Sequence, residues 1–418
     1  MQQAVPVRQD DTVVRWVDLP DHRAWLAGAL ADQLRSGRGF PAAGGGAHYL
    51  DDEGRPDLSR PVHTWVTARM AHVYGLGHLA GLPGTRALAA HALAGLRGPL
   101  HDAEHGGWYA SVGPGDERDT TKAAYAHAFV VFASATGSVA GLPGARDLLD
   151  DALEVLDTRF WEDGPGLHLD AVSADWSQVS VYRGVNANMH SVEALLAAAD
   201  ATGDERWRRR AGRIAATVLG WAAGNDWRIP EHFDAEWQPQ MEHHRDEPDH
   251  PFEPYGATVG HGLEWARLAL HVRAALGDEA PAGLLEGAQG LFERAVADGW
   301  AADGEDGFVY TTDWEGRPVV RQRMHWVLAE AVGAAAALGA VTGERRYEDW
   351  YRTWWDYASE HVVTPQGSWI HELDPQNRPA GTVWPGRPDL YHSVHAVLLQ
   401  RLPLAPTAPT ALAAGLLR

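Results

Sequence analysis

AGLPGTRALAAHAL (80–93), SVAGLPGARDLLDDAL (138–153), DATGDERWRRRAGRIA (200–215) and AVTGERRYEDWYRTWW (340–355) share one construction. An apolar helix runs out, a glycine turns the chain, and an Arg-bearing amphipathic helix follows. Glycine suits a helix C-terminus, where a left-handed residue is wanted. The amphipathic second helix reads as the outer, partly wet member of a helix pair.

Helical periodicity extends outward from these joins over most of the chain. It predicts helices near 22–37, 63–81, 85–99, 121–137, 143–160, 187–202, 204–223, 259–276, 281–297, 321–342, 344–362 and 388–402. Between the pairs stand short Gly/Trp stretches of alternating character, HGGWYASV (105–112), GPGLHLDAV (164–172), DGFVYTTDW (306–314) and GSWIHELD (367–374), which read as small β-hairpins at one rim. The unit repeats about every 65 residues, roughly six times. The expectation is an all-α (α/α)6 barrel of about twelve helices, closed as a double ring. A linear solenoid shares the repeat but needs polar capping repeats, which the sequence lacks. Residues 1–418 read as one catalytic domain with peripheral tails near 1–12 and 403–418. A short packed C-terminal helix is the alternative for the second tail.

Composition narrows the function. The formal net charge of −21 over 418 residues repels nucleic acid and anionic membrane surfaces. No Cys is present, which removes disulfides, thiolate nucleophiles and Cys-ligated zinc together. MQQAVPVRQDDTVVRW lacks the charged and apolar regions of a signal peptide, and no apolar run approaches a membrane span, so a cytoplasmic protein is expected. The 19 Trp suit both core and aromatic-lined sugar pockets.

Six of the helices carry polar groups near their starts: His63-Trp65-Arg69-His72, Lys122-Tyr125-His127, Asn186-Asn188-His190-Glu193, His261-Glu264-Arg267, His325-Glu330 and Asp389-Tyr391-His392. One such end per repeat implies a ring of helices opening onto a shared pocket. A lone histidine there is more often a satisfied core residue, but the recurrence shifts the balance. Asn186 reads as a helix cap on its own. An Arg on an apolar helix, as Arg69 is, needs an anion, a carboxylate or developing negative charge. His261 and Glu264, three apart, share a helix face and suit a metal pair or a base with its charge partner. With no second such pair facing them, a metal set reads as incomplete and no metal is expected. Asp389 stands where it can orient His392. Met241–His250, rich in His and acids, reads as a polar rim loop and lid rather than a metal loop. Two His with Arg and Glu suit proton abstraction beside a carbonyl.

GGWYA (106–110), RGVNANMH (183–190), EHFDAEW (231–237), PFEPYGATVGHGLEWARL (251–268), MHWVLAEA (324–331), GSWIHELD (367–374) and WPGRPDLYH (384–392) together resemble the N-acylglucosamine 2-epimerase superfamily, in its bacterial mannose isomerase and sulfoquinovose isomerase branch. The resemblance runs from about Trp65 to His392. It implies an (α/α)6 barrel that interconverts sugars with no metal or redox cofactor. It implies that His261 and His392 are the acid/base pair and that Arg69 holds the oxygens bearing enediolate charge. His190, Asn186, Tyr125, Glu264 and Glu330 would orient the sugar or assist ring opening, and Trp65 and Trp384 would line the pocket. The expected activity is isomerisation of D-mannose and D-fructose through a cis-enediol, by a monomer or homodimer acting on a free monosaccharide. Mannose/glucose 2-epimerisation, sulfoquinovose isomerisation, inverting glycoside hydrolysis on two carboxylates and non-catalytic sugar binding are the alternatives.

Overall fold

Helices that are apolar on every side must be surrounded, and those with one apolar stripe must cover them. The computed structural model, which describes residues 13–418, sorts the helices in this way. The largely buried set is α2 (Thr64–Leu79), α4 (Ala124–Val139), α6 (Val185–Thr202), α8 (Val259–Leu276), α10 (His325–Thr342) and α12 (Tyr391–Leu398). The striped set is α1 (Pro20–Ser36), α3 (Thr85–Arg97), α5 (Ala145–Val155), α7 (Arg206–Ala223), α9 (Leu284–Gly299) and α11 (Arg345–Tyr357). In α2, every residue from Thr64 to Gly77 is buried. In α7, Trp207, Ala211, Ile214, Ala215, Val218 and Ala222 form a single stripe. Each buried helix packs on its neighbours in the order α2, α4, α6, α8, α10, α12 and back to α2. The outer helices lie against them pairwise. The result is a closed (α/α)6 barrel. Against the expectation that no apolar run approaches a membrane span, α10 is long and apolar enough to cross one, and its place in the inner ring explains that composition.

The joins behave as the repeat implies. Gly203 and Gly343 end α6 and α10 with φ of 75° and 71°, a left-handed conformation that side chains resist. Short strands position the inner helices. Val62–His63, Lys122–Ala123, Arg183–Gly184, Ala257–Thr258 and Arg323–Met324 each lead directly into an inner helix. Each pairs antiparallel with a strand from the following rim hairpin, for example Lys122 opposite Val172 and Arg323 opposite Leu373. A bridge between Leu50 and Arg387 does the same before α12 and closes the ring.

Three expectations change. The helices expected from 121 and 321 begin at Ala124 and His325, because the preceding residues are extended and hydrogen-bonded to the next hairpin. Segment 403–418 is not a peripheral tail. It contains α13 (Ala408–Ala413), whose buried Ala411 and Leu412 close the barrel beneath α2, α4 and α6. The tail expected near 1–12 lies outside the described residues.

Candidate functional site

All six inner helices start at the same rim, and no N-cap side chain closes their first turns, although Asp389 accepts the first N–H of α12. The first N–H of each is taken up by a rim carbonyl or Asp389, and the helix dipoles place positive potential at one end of the barrel. A cavity of about 750 Å³, including its mouth, opens there. Nine of the ten expected site residues line it: Trp65, Arg69, Tyr125, Asn186, His190, His261, Glu264, Trp384 and His392. Glu330 does not. It lies buried behind His392, and its carboxylate accepts from His392 Nδ1 at 2.9 Å and from Arg267 Nε at 2.8 Å.

The two expected acid/base histidines are built alike. His261 Nδ1 lies 3.0 Å from the buried carboxylate of Glu231, just as His392 Nδ1 meets Glu330. A carboxylate on Nδ1 fixes the tautomer and leaves Nε2 for chemistry. The indole of Trp326 stands between them, with ring centroids 5.4 Å from His261 and 5.6 Å from His392. Burial, with the Arg69 guanidinium alongside, holds His392 well below the ordinary imidazole range, so it is neutral at pH 7. Burial likewise pulls His190 down to about 4.

Arg69 is buried beneath the aromatic wall, with its guanidinium 4.4 Å from the Phe129 ring centre and 4.6 Å from that of Tyr391. It donates to Asp389 at 3.1 Å and to the Tyr125 hydroxyl at 2.8 Å, while its Nε has no partner. Asp389 thus pairs with Arg69 and accepts from the Tyr391 backbone N–H, rather than orienting His392. Asn186 is not a cap, since Gly184 holds that position in α6. Its Oδ1 is buried without a partner in the cavity wall.

Beneath the cavity, Arg267 meets three carboxylates: Glu330 at 2.8 Å, Glu193 at 3.2 Å and Glu264 at 3.7 Å. Burial and the neighbouring Glu330 and Glu193 push Glu264 far above the usual carboxylate range, so it keeps its proton. His261 and Glu264 do not pair as their spacing suggested. Nor is the second His-x-x-Glu pair missing, because His190 and Glu193 form it and face Glu264 within metal-ligand reach. The buried guanidinium of Arg267 already supplies the positive charge these carboxylates need, and a divalent ion beside it would be repelled. The residues there do not fit a metal.

Sequence reading overlooked several parts of the site. Glu231 is one, on the strand-like segment before His232–Phe233. Glu372 is another, a buried carboxylate that accepts the backbone N–H groups of Val383 and Trp384 at 3.0 and 2.8 Å and so places the Trp384 ring. Tyr310, Trp326 and His371 are further overlooked parts of the wall, beside His325, whose helix start the sequence marks. Loop residues Pro251, Phe252 and Pro254 reach over the mouth, where Phe252 packs edge-on against Trp384 with centroids 4.9 Å apart.

The sequence profile of the N-acylglucosamine 2-epimerase (GlcNAc 2-epimerase) family matches residues 45–396. A D-mannose isomerase from Thermobifida fusca is 52% identical over 406 residues, covering 95% of this chain and 98% of that protein. One from Pseudomonas cannabina pv. alisalensis is 46% identical over 415 residues, covering 96% and 98%. A crystal structure of D-mannose isomerase superposes with a TM-score of 0.81 at 28% identity, covering 90% of this chain and 96% of that one. On the match across most of its length, the chain belongs to the N-acylglucosamine 2-epimerase family.

Proposed function

We propose that this protein is an aldose–ketose isomerase that interconverts D-mannose and D-fructose through a cis-enediol(ate), using side chains alone. The observation that carries the reading is the pair of cavity histidines, each with Nδ1 tied to a buried carboxylate, sharing their cavity with a fixed arginine. The relatives named D-mannose isomerase at 46% and 52% identity support the choice of sugar.

Ring opening comes first: protonated Glu264 gives its proton to the ring oxygen as the C1–O5 bond breaks, and neutral His190 takes the proton of the C1 hydroxyl, so no net proton is gained. Neutral His392 then takes the C2 proton through Nε2. The electron pair moves into a C1–C2 double bond, and charge gathers on the oxygens that Arg69 and the inner-helix N-termini face. His261 delivers a proton to C1 while the O2 proton passes to O1 and the electron pair of the O2–H bond forms the C2 carbonyl. One proton leaves carbon and one returns, so aldose and ketose keep the same formula.

Incubation with D-mannose in D2O with EDTA present, followed by NMR, tests the reading. Fructose carrying deuterium at C1 is the expected product. Glucose labelled at C2 would replace isomerisation by 2-epimerisation, and unchanged unlabelled mannose would overturn the choice of sugar.

A further inference from the structure

The loop over the cavity mouth carries a group of side chains that the proposed chemistry does not use. His243 Nε2 and Glu253 Oε2 lie 2.8 Å apart, and His244 Nδ1 is 3.9 Å from the same oxygen. All three candidate ligand atoms fall within 4.8 Å of one another. Tetrahedral zinc, with bonds of about 2.0–2.1 Å to nitrogen and oxygen, needs ligand atoms about 3.3 Å apart. The observed separations bracket that value.

Neighbouring residues ordinarily direct their side chains apart. Here His244 has φ of 52°, a left-handed conformation that a residue with a Cβ adopts at a cost. The two imidazoles consequently lie together, with centroids 4.0 Å apart, and face one carboxylate. Among the described residues these two histidines are the only ion-pair partners of Glu253, so no arginine or lysine neutralises it. His250 packs at a tilt against His244 with centroids 4.5 Å apart, and its Nδ1 accepts from the Glu253 backbone N–H. The arrangement contrasts with the buried carboxylates under the cavity, where Arg267 takes the place of a cation.

We propose that His243, His244 and Glu253 form a zinc site that ties the two ends of the loop together over the cavity mouth. Two imidazoles and a carboxylate are a borderline donor set that suits zinc, with a fourth position left for water. Binding displaces the hydrogen bond that His244 Nδ1 makes to the Glu253 carbonyl oxygen at 2.8 Å. The ligands close a loop whose apex, Pro251 and Phe252, lies in the cavity wall. Zinc therefore restrains the residues that cover the sugar. It takes no part in proton transfer.

The test is titration of the EDTA-stripped, rebuffered full chain with zinc chloride by calorimetry. One zinc per chain is expected, with affinity at least about tenfold weaker in Glu253→Gln and weaker still in the double variant His243→Ala/His244→Ala. Circular dichroism and thermal melting of both variants confirm that they fold. In the wild type, zinc should also slow amide exchange across 241–254. Absence of stoichiometric binding, or equal affinity in the double variant, overturns the site. Binding without slowed exchange overturns the role in tying the loop.

Discussion

An imidazole that works at one nitrogen needs its other nitrogen held, and here two buried carboxylates do this under different loads. Glu330 shares its charge with Arg267, whereas Glu231 has one oxygen on His261 and the other buried without a partner. Glu231 is therefore a positioning residue whose whole charge is directed at one ring. Glu231→Gln should lower kcat by about 10–100-fold with KM little changed, and should alter the pH profile of kcat. Steady-state kinetics across pH would show this, and an unaltered kcat would remove Glu231 from the scheme. His392→Ala should lose about 10²–10⁴-fold in kcat, measured by fructose formation, while the fold persists. His261 and His392 are legible in the sequence because they interrupt apolar helices within the first turn. Glu231 is not, since it stands thirty residues before its partner on a short extended segment where an acid is ordinary.

At the scale of elements, α10 stands between α8, which carries His261, and α12, which carries His392, so its contacts with both set the distance between the two histidines. Gly260, next to His261, leaves room for the Trp326 indole: a Cβ there would lie 2.3 Å from the ring and 2.8 Å from Val327. Gly260→Ala should push the indole into the cavity and reduce kcat/KM by more than tenfold, far beyond any effect on the thermal midpoint. Parallel assays of turnover and melting would separate the two. The inner helices were readable from their all-round apolarity. Their starts at Ala124 and His325 were not, because a two-residue strand has no period to detect. The rim turns did carry a signal that went unread. Asp51, Asp234, Asp313 and Asp374 each accept backbone N–H groups two and four residues on, followed by Arg-Pro or Gln-Pro. α13 was legible only as the alternative to a tail, because six residues with a proline in the first turn make less than two helical turns.

Over the whole molecule, burial of neutral imidazoles links stability to pH. Burial draws His72, His127 and His168 down to about 3, and His190, His271 and His325 to about 4. The unfolded chain takes up these protons near pH 6.5, and the folded chain does not until pH 3–4. Between those values the unfolded state binds more protons, so stability is complete above pH 6.5 and falls as pH drops. Each fully titrating histidine contributes up to about 1.4 kcal/mol per pH unit. Urea midpoints should hold steady from pH 8 to 7 and fall steeply from 6.5 toward 4, and a flat profile would contradict the burial of these rings.

The bridge between Leu50 and Arg387 has a consequence for how the chain comes into being. It makes one of the six repeats a composite, its outer helix supplied by the first segment of the polypeptide and its inner helix by nearly the last. During synthesis α1 waits for its mate until α12 leaves the ribosome, and α12 brings His392 with it. Every shorter nascent chain is an open arc with a raw edge at each end. The molecule therefore acquires its enclosure and its second histidine in the same event, and an incomplete copy of it has neither.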